Sequence, residues 1–263
     1  MGGLDLYAPG LAATLVLLAC RVGGLVLVAP VFSAKNIPLQ LRTGVLLLLT
    51  VVLAPVAHAS AMHASPAGPE ITPSTFLTET LVGFAIGFGA AVLVGAMETA
   101  GDLTSTAIGL SGASLLDPLN GQSSGVLAQF GQLFAVTVLL AVNGHLVMLD
   151  ALAESARALP VGGAVNLQQG LHALAAQGTT LFVLGLRFAA PVIAASMIGN
   201  VALAVLSRVA PQLNAMTIAF PLQIAFGLLA FAASLAFVGT WMTGWGTTLA
   251  GQLETVFRAF AHR

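Results

Sequence analysis

Charged side chains are scarce in this chain. Only 6% of its 263 residues are Asp, Glu, Lys or Arg, while 58% are hydrophobic, whereas an ordinary soluble domain has roughly a quarter of its residues charged. This composition predicts an integral membrane protein or a component of a membrane complex. The net charge of −1 leaves no basic surface, so nucleic acid is not expected as a partner.

Cysteine is nearly absent, and histidine is scattered. The single Cys20 excludes an intrachain disulfide framework and a paired-cysteine metal motif. The five histidines, at positions 58, 63, 145, 172 and 262, have no second ligand at a metal-binding spacing. No nucleophile stands beside a base in a catalytic pattern. We therefore expect no catalytic site, no metal and no cofactor.

Long apolar runs make up most of the chain. The sequence predicts two amphipathic helices, at about 145–158 and 244–262, and six apolar segments, at about 8–31, 43–57, 76–104, 126–142, 178–206 and 215–242. These patterns predict an all-α membrane protein of kinked helical hairpins without a β-sheet. We expect a single domain over residues 1–263.

The second apolar segment is shorter than the others. It stops at Pro55, and its fifteen residues fall below the roughly 17–20 that a spanning helix needs. The sequence therefore predicts that this segment does not cross a bilayer. Residues 57–75 are interpreted as an irregular connection, with Ser74 or Thr75 as the N-cap of the following helix.

Two prolines lie inside the last two long segments. Pro191 and Pro221 each remove one backbone hydrogen bond, so each is predicted to kink its helix where neighbouring protein satisfies the freed carbonyl. The connection at 207–214 is short enough to require an antiparallel hairpin. Asn166 is the expected N-cap of the helix that leads into the fifth apolar segment.

The basic residues do not predict an orientation in the membrane. With six crossings, they divide evenly between the two sides: Lys35, Arg42 and Arg208 against Arg157, Arg258 and Arg263. The positive-inside rule depends on an excess of Lys and Arg on one side. Topology therefore stays open.

Among the charged residues in or beside the apolar segments, five are interpreted as buried or interfacial: Arg21, Glu98, Asp102, Arg187 and Arg208. A charge at a bilayer centre costs at least ~2.5 kcal/mol, so these residues are expected to be buried in protein or at an interface. Glu98 and Asp102 lie four residues apart on one face of a helix end. A solvated helix end is the simpler interpretation, and a proton-linked site or a contact for a basic partner is the alternative.

Residues 109–125, GLSGASLLDPLNGQSSG, combine glycine and serine with large apolar side chains. The glycines and the Asp117-Pro118 turn signal disfavour a helix. The leucines make the stretch too apolar for a solvated linker; they are Leu110, Leu115, Leu116 and Leu119. We interpret it as an apolar loop that lies inside an assembly, and an ordinary inter-helix loop is the alternative.

Several short motifs follow one another in a fixed order. They are Arg21 with Ala29-Pro30-Val31-Phe32 and Ile37-Pro38, Ala100-Gly101-Asp102, Gly109-Leu110-Ser111 with Asp117-Pro118, Asn143-Gly144-His145, Leu159-Pro160-Val161-Gly162, and Arg208-Val209-Ala210-Pro211-Gln212-Leu213-Asn214 with Phe220-Pro221. Over about residues 20–230 this ordered set resembles the FliR/SctT export-gate family of type III secretion. Phe220-Pro221 is more similar to the flagellar branch.

The resemblance implies a subunit of the flagellar export gate, which is not an enzyme. One such chain would join five FliP-like and four FliQ-like subunits in a pore that secretes unfolded flagellar proteins during flagellum assembly. A FlhB-like switch protein, the exported proteins in transit and membrane lipid are further implied partners. The implied location is the bacterial inner membrane, in the flagellar basal body.

The resemblance also assigns roles to residues. The loop is implied to plug the closed pore through Gly109, Leu110, Ser111, Gly112, Leu115, Leu116, Asp117, Pro118, Leu119 and Gly121. Helix kinks and subunit packing are implied at Pro191, Pro211, Gln212, Asn214, Phe220 and Pro221. Two other functions stay open: a virulence injectisome gate subunit of the same family, and a multi-pass transporter of small molecules or ions, for which no inverted repeat is found.

Overall fold

The computed structural model describes residues 10–34, 37–110, 125–209 and 215–261, and of residues 215–220 it describes the backbone alone. Within these ranges every regular element is an α-helix, which confirms the predicted fold class. The helices of the described part are, in order, α1 Leu11–Val28, α2 Pro30–Ser33, α3 Leu39–Ala64, α4 Pro73–Ala107, α5 Val126–Ala141, α6 Gly144–Ala158, α7 Leu167–Val209, α8 Ala215–Met242 and α9 Trp245–Ala261.

The prediction for the second apolar segment is wrong. Helix α3 has 26 residues and continues through Pro55 to Ala64, so at 1.5 Å per residue it is about 39 Å long. Proline removes a single backbone hydrogen bond, and the sequence that follows it is rich in alanine, the strongest helix former. Pro55 therefore lies inside the helix instead of ending it, and α3 is long enough to span a bilayer.

Helix α4 begins slightly earlier than predicted. The backbone N–H of Thr75 donates to Oγ1 of Thr72 at 3.2 Å, so Thr72 is the capping residue and neither Ser74 nor Thr75 is. Pro73 takes the first helical position, where its missing N–H has no consequence.

Helix α7 is one continuous helix of 43 residues. Oδ1 of Asn166 accepts a hydrogen bond from the N–H of Gln169 at 3.0 Å, as expected for an N-cap. The polar start and the apolar segment 178–206 therefore belong to the same element.

Two compact units share these helices. Unit 1 comprises residues 1–92, 139–178 and 245–263, and unit 2 comprises residues 93–138 and 179–244. In unit 1, α1 packs against α4 at very short range, because a Cβ atom at Gly83 would lie 1.7 Å from the carbonyl oxygen of Arg21 and one at Gly24 would lie 2.3 Å from that of Thr80. Small residues permit such close backbone approach between membrane helices.

Within the part of the chain that the structure describes, five helices are long and apolar enough to cross a membrane. They are α1, α3, α4, α7 and the part of α8 from Pro221 to Met242. The bent pair of α5 and α6 counts as a sixth if it forms one span. Asn143, whose φ of 58° is left-handed, separates the two helices of that pair.

Candidate functional site

The entry to the loop at 109–125 is a well-formed helix C-terminus in unit 2. The N–H of Leu110 donates to the carbonyl of Ser105 at 3.0 Å, and the N–H of Gly109 donates to that of Thr106 at 3.2 Å. Gly109 has a φ of 83°, the left-handed conformation that ends a helix in this Schellman pattern. A residue with a side chain would be strained at this φ, so glycine is required where the loop begins.

Helix α8 holds the same helix end from the side. Nε2 of Gln223 donates to the carbonyl of Ala107 at 3.4 Å, one of the carbonyls that the end of α4 leaves without a helical partner. A Cβ atom at Gly227 would lie 2.2 Å from Cγ2 of Ile108, so α8 approaches the end of α4 closely. The position of the loop entry is therefore set jointly by α4 and α8.

A small apolar cluster lies beneath the loop entry. Ile108, Leu127 and Val192 are buried together, and Leu110, Ala230 and Phe231 pack against them. Leu110, the first leucine of the loop, thus belongs to the core of unit 2. Leu110 therefore packs on the apolar cluster at the loop entry, and its assignment to the pore plug stays a prediction.

The loop exit returns to the last turns of α4. The N–H of Gly125 donates to Oδ1 of Asp102 at 3.4 Å, and a Cβ atom at Gly125 would lie 3.1 Å from Oγ of Ser105. A carboxylate at this place also faces the N-terminus of α5, which favours negative charge. The described residues on either side of 111–124, Leu110 and Gly125, therefore both contact the last two turns of α4.

Helices α4 and α5 form a hairpin whose backbones touch. A Cβ atom at Gly101 would lie 2.4 Å from the carbonyl oxygen of Leu127, and one at Gly131 would lie 2.6 Å from that of Met97. Nε2 of Gln132 donates to Oε2 of Glu98 at 3.3 Å between the same two helices. The hairpin that carries the loop is thus held by close packing, with Glu98 and Asp102 both turned towards α5.

Much of the predicted loop lies outside the described residues. This applies to Ser111, Gly112, Leu115, Leu116, Asp117, Pro118, Leu119 and Gly121, and also to Pro211, Gln212 and Asn214. Of Phe220 only the backbone, within α8, is described. The roles assigned to these residues stay predictions.

Unit 1 contains a buried charged cluster built around Arg21 of α1, whose side chain is fully buried. Its Nε donates to Oε2 of Glu79 in α4 at 2.7 Å. Nη1 donates to the carbonyl of Ser155 at 2.9 Å, and Nη2 donates to that of Leu159 at 3.0 Å. The other carboxylate oxygen of Glu79 accepts the N–H of Gly162 at 2.8 Å. Arg21 is therefore paired and hydrogen-bonded within protein, as predicted.

The cluster joins α1, α4 and the C-terminal end of α6 within unit 1. Ser155 and Leu159 lie at the C-terminal end of α6, where the last carbonyls have no helical donor and the helix dipole favours a cation. The five donor groups of arginine suit this arrangement. Glu79 was missed in the sequence, although a lone carboxylate in an apolar helix needs a partner and Arg21 was the obvious candidate.

The other predicted charges differ from Arg21 in their burial. Glu98 is half-buried, while Asp102, Arg187 and Arg208 are exposed. Burial within the chain therefore does not extend to Asp102, Arg187 or Arg208. A role at an interface stays a prediction for these four. Within the described ranges, no three His, Cys, Asp or Glu side chains are grouped closely enough to hold a metal ion.

The two predicted kink prolines both lie inside helices. Pro191 is within α7 and Pro221 is within α8, and both are exposed. Each leaves one carbonyl without its helical donor. Both helices nevertheless continue past their proline.

The long apolar helices, with many apolar side chains exposed on their surfaces, define an α-helical multi-pass membrane protein. The family model described as bacterial export proteins, family 1, matches residues 12–247. The chain belongs to this family of bacterial export proteins.

Individual relatives agree with this assignment. The chain is 34% identical over 160 residues to flagellar biosynthetic protein FliR of Escherichia coli (strain K12), with 61% of each chain covered. It is 30% identical over 165 residues to the protein of the same name from Bacillus subtilis (strain 168), with 61% of this chain and 64% of the relative covered. It is 33% identical over 163 residues to secretion system apparatus protein SsaT of Salmonella typhimurium (strain LT2), covering 60% of this chain and 62% of that protein. The chain thus spans about three-fifths of the length of the curated relatives it matches.

Proposed function

We propose that this chain is a subunit of the flagellar type III protein export gate, the pore through which unfolded flagellar proteins are secreted during flagellum assembly. The observation that carries the proposal is the family match over residues 12–247. The relatives named as flagellar biosynthetic proteins support the flagellar branch. The chain acts as a structural part of the pore and not as an enzyme.

In this proposal the chain works only within an assembly. Its partners are FliP-like and FliQ-like subunits, with a FlhB-like switch protein beside them, in the bacterial inner membrane at the flagellar basal body. The wide apolar surface supports this: on α3 alone, Leu47, Leu48, Val51 and Val52 are each 60–63% exposed. Exposed apolar surface of this extent requires lipid or another subunit as its cover.

We assign the closure of the resting pore to the loop at 109–125. The fixed entry at Gly109 and the exit at Gly125 support the assignment, because both contact the last two turns of α4. A plug needs a firm base and few rigid contacts beyond it. Pro191, Pro211, Gln212, Asn214, Phe220 and Pro221 are proposed to shape α7 and α8 for packing against the partner subunits.

Motility and complex formation test the proposal together. The gene for this chain is deleted in its own bacterium, and a wild-type copy that encodes an affinity tag is then reintroduced. We expect the deletion to abolish swimming and flagellin secretion and the tagged chain to restore both. Purification through the tag in mild detergent should yield one large complex containing the FliP-like and FliQ-like proteins. Full motility without the chain would refute the flagellar function.

A virulence injectisome is the second candidate. The 33% identity to SsaT, a secretion system apparatus protein, favours it. In that case swimming is unaffected by the deletion, whereas secretion by the injectisome is lost. A small-molecule or ion transporter would instead purify alone as a functional protein. The composition of the tagged complex therefore separates a transporter from an export gate, and the swimming and secretion assays separate the two kinds of gate.

A further inference from the structure

Arg187 is a single cation in a long apolar surface of unit 2. No other residue between Thr179 and Leu206 of α7 is charged, and α8 has no charged residue at all. Its neighbours Phe182, Val183 and Leu186 are 58–70% exposed, and Arg187 itself is exposed. A guanidinium in such an apolar belt is costly unless an anionic group meets it.

The guanidinium is held in place by aromatic rings. Its Cζ atom lies 4.5 Å from the ring centroid of Trp241 in α8. Trp241 is itself fixed by an edge-to-face contact with Phe188, with ring centroids 5.5 Å apart. Stacking occupies one face of the planar group and leaves its N–H donors free at the edge. Arg187 therefore presents a preorganised fork of donors at the surface of the unit.

The described part of unit 2 supplies no acceptor for this fork. Its two carboxylates are Glu98 and Asp102, and these bind Gln132 and the N–H of Gly125. No hydrogen bond or ion pair joins Arg187 to a described residue of the unit. A carboxylate matches the guanidinium fork in both charge and shape, as a phosphate also does, and of the two only the carboxylate is a side-chain group that an apolar helix of a neighbouring subunit can carry.

We propose that Arg187 and Trp241 form a docking point for a carboxylate on an apolar helix of another subunit of the export gate. The partner carries an Asp or Glu among large apolar residues, and its carboxylate accepts two N–H bonds from the edge of the guanidinium. The aromatic contact covers one face of the guanidinium, so the carboxylate has to satisfy only the N–H groups at its edge. This inference rests on the proposed function, since it requires an assembled complex.

A zero-length cross-link tests the proposal in the complex purified through a tag on this chain. In the Arg187→Lys variant, a water-soluble carbodiimide activates a carboxylate within reach. The lysine amine then attacks the activated carbon and forms an amide, while the carbodiimide leaves as its urea. We expect an amide between position 187 and an Asp or Glu of a partner subunit, identified by mass spectrometry of the digested complex.

Two controls make the result specific. Arg157→Lys puts an amine on an exposed helix of unit 1, beside Glu154 of the same chain, and should cross-link to a partner subunit at least about tenfold less. Arg187→Gln keeps a polar side chain without the charge and should give no product at this position. In Arg187→Gln cells, the yield of complex should fall about tenfold or more, as expected when one partner of a desolvated charge pair is removed.

Three outcomes would overturn the inference while leaving the proposed function intact. The complex forms, but position 187 cross-links to Asp117 of the same chain. Alternatively, the complex forms without a cross-link and loses bound anionic phospholipid in Arg187→Gln, which would identify a lipid phosphate as the acceptor. Equal yields of complex for the wild type and Arg187→Gln would also count against it. Failure to recover any complex with the wild-type chain would instead refute the proposed function.

Discussion

Replacement of Arg21 by methionine tests the role of the buried cluster in unit 1. The substitution keeps side-chain length and removes the cation. It leaves the carboxylate of Glu79, only 4% exposed, without its partner, and it removes the donors to the carbonyls of Ser155 and Leu159. Breaking a buried ion pair from one side costs about 3–5 kcal/mol, because an uncompensated charge stays buried.

The magnitude translates into a measurable shift. At roughly 2–4 °C per kcal/mol for a chain of this size, the midpoint of thermal unfolding in detergent should fall by about 6–20 °C. Size-exclusion chromatography after heating, with the monodisperse peak as the readout, measures this midpoint. Changing Glu79 to leucine in the same chain should recover part of the loss, since a paired deletion removes both charges and contacting groups do not act additively.

An exposed ion pair is the matched control. Arg157 and Glu154 lie 3.3 Å apart, with side chains 62% and 60% exposed, and such pairs contribute at most about 1 kcal/mol. Arg157→Gln should therefore shift the midpoint by no more than a few degrees. If Arg21→Met and Arg157→Gln proved equally mild, or if the losses from Arg21→Met and Glu79→Leu simply summed, the reasoning about this cluster would be wrong.

Three further substitutions and one deletion test the packing of α4 on α5 and the role of the loop. Gly101→Ala should destabilise by about 1–3 kcal/mol because its Cβ meets the backbone of α5, whereas Gly251→Ala, which has open space around it, should stabilise slightly; opposite signs in the same unfolding assay are the expected result. Asp102→Asn should leave the yield of complex unchanged, because the hydrogen bond that its side chain accepts from Gly125 is long, at 3.4 Å, and exposed. A lost complex on native gels would show a structural role. Deleting residues 112–122 should preserve the complex and raise ion leakage through it in planar bilayers, and an unchanged leak would mean that the loop is only a connector.

Local patterns in the sequence were sufficient for much of the architecture. Helix α8 runs from residue 215 to residue 242, as the apolar pattern predicts, and Asn166 caps α7 as its residue type suggests. These features depend on residues within one or two turns of each other. The prediction that the second apolar segment ends at Pro55 also depends on local sequence alone. It is wrong because the alanine-rich sequence after Pro55 favours continuation of the helix.

The partners of each charge were decided by the tertiary structure alone. The sequence determined that Arg21 could not face lipid, but Glu79 stands 58 residues away, and only the packing of α1 on α4 through Gly24 and Gly83 brings the two together. Gly109 could be anticipated as part of a loop, whereas the hydrogen bond that Gln223 donates to the carbonyl of Ala107, just before the loop, could not. Hydropathy and helical period are properties of neighbouring residues in the chain. A charge pair or a close backbone contact depends instead on which helices face each other, and the packing of whole helix surfaces decides this.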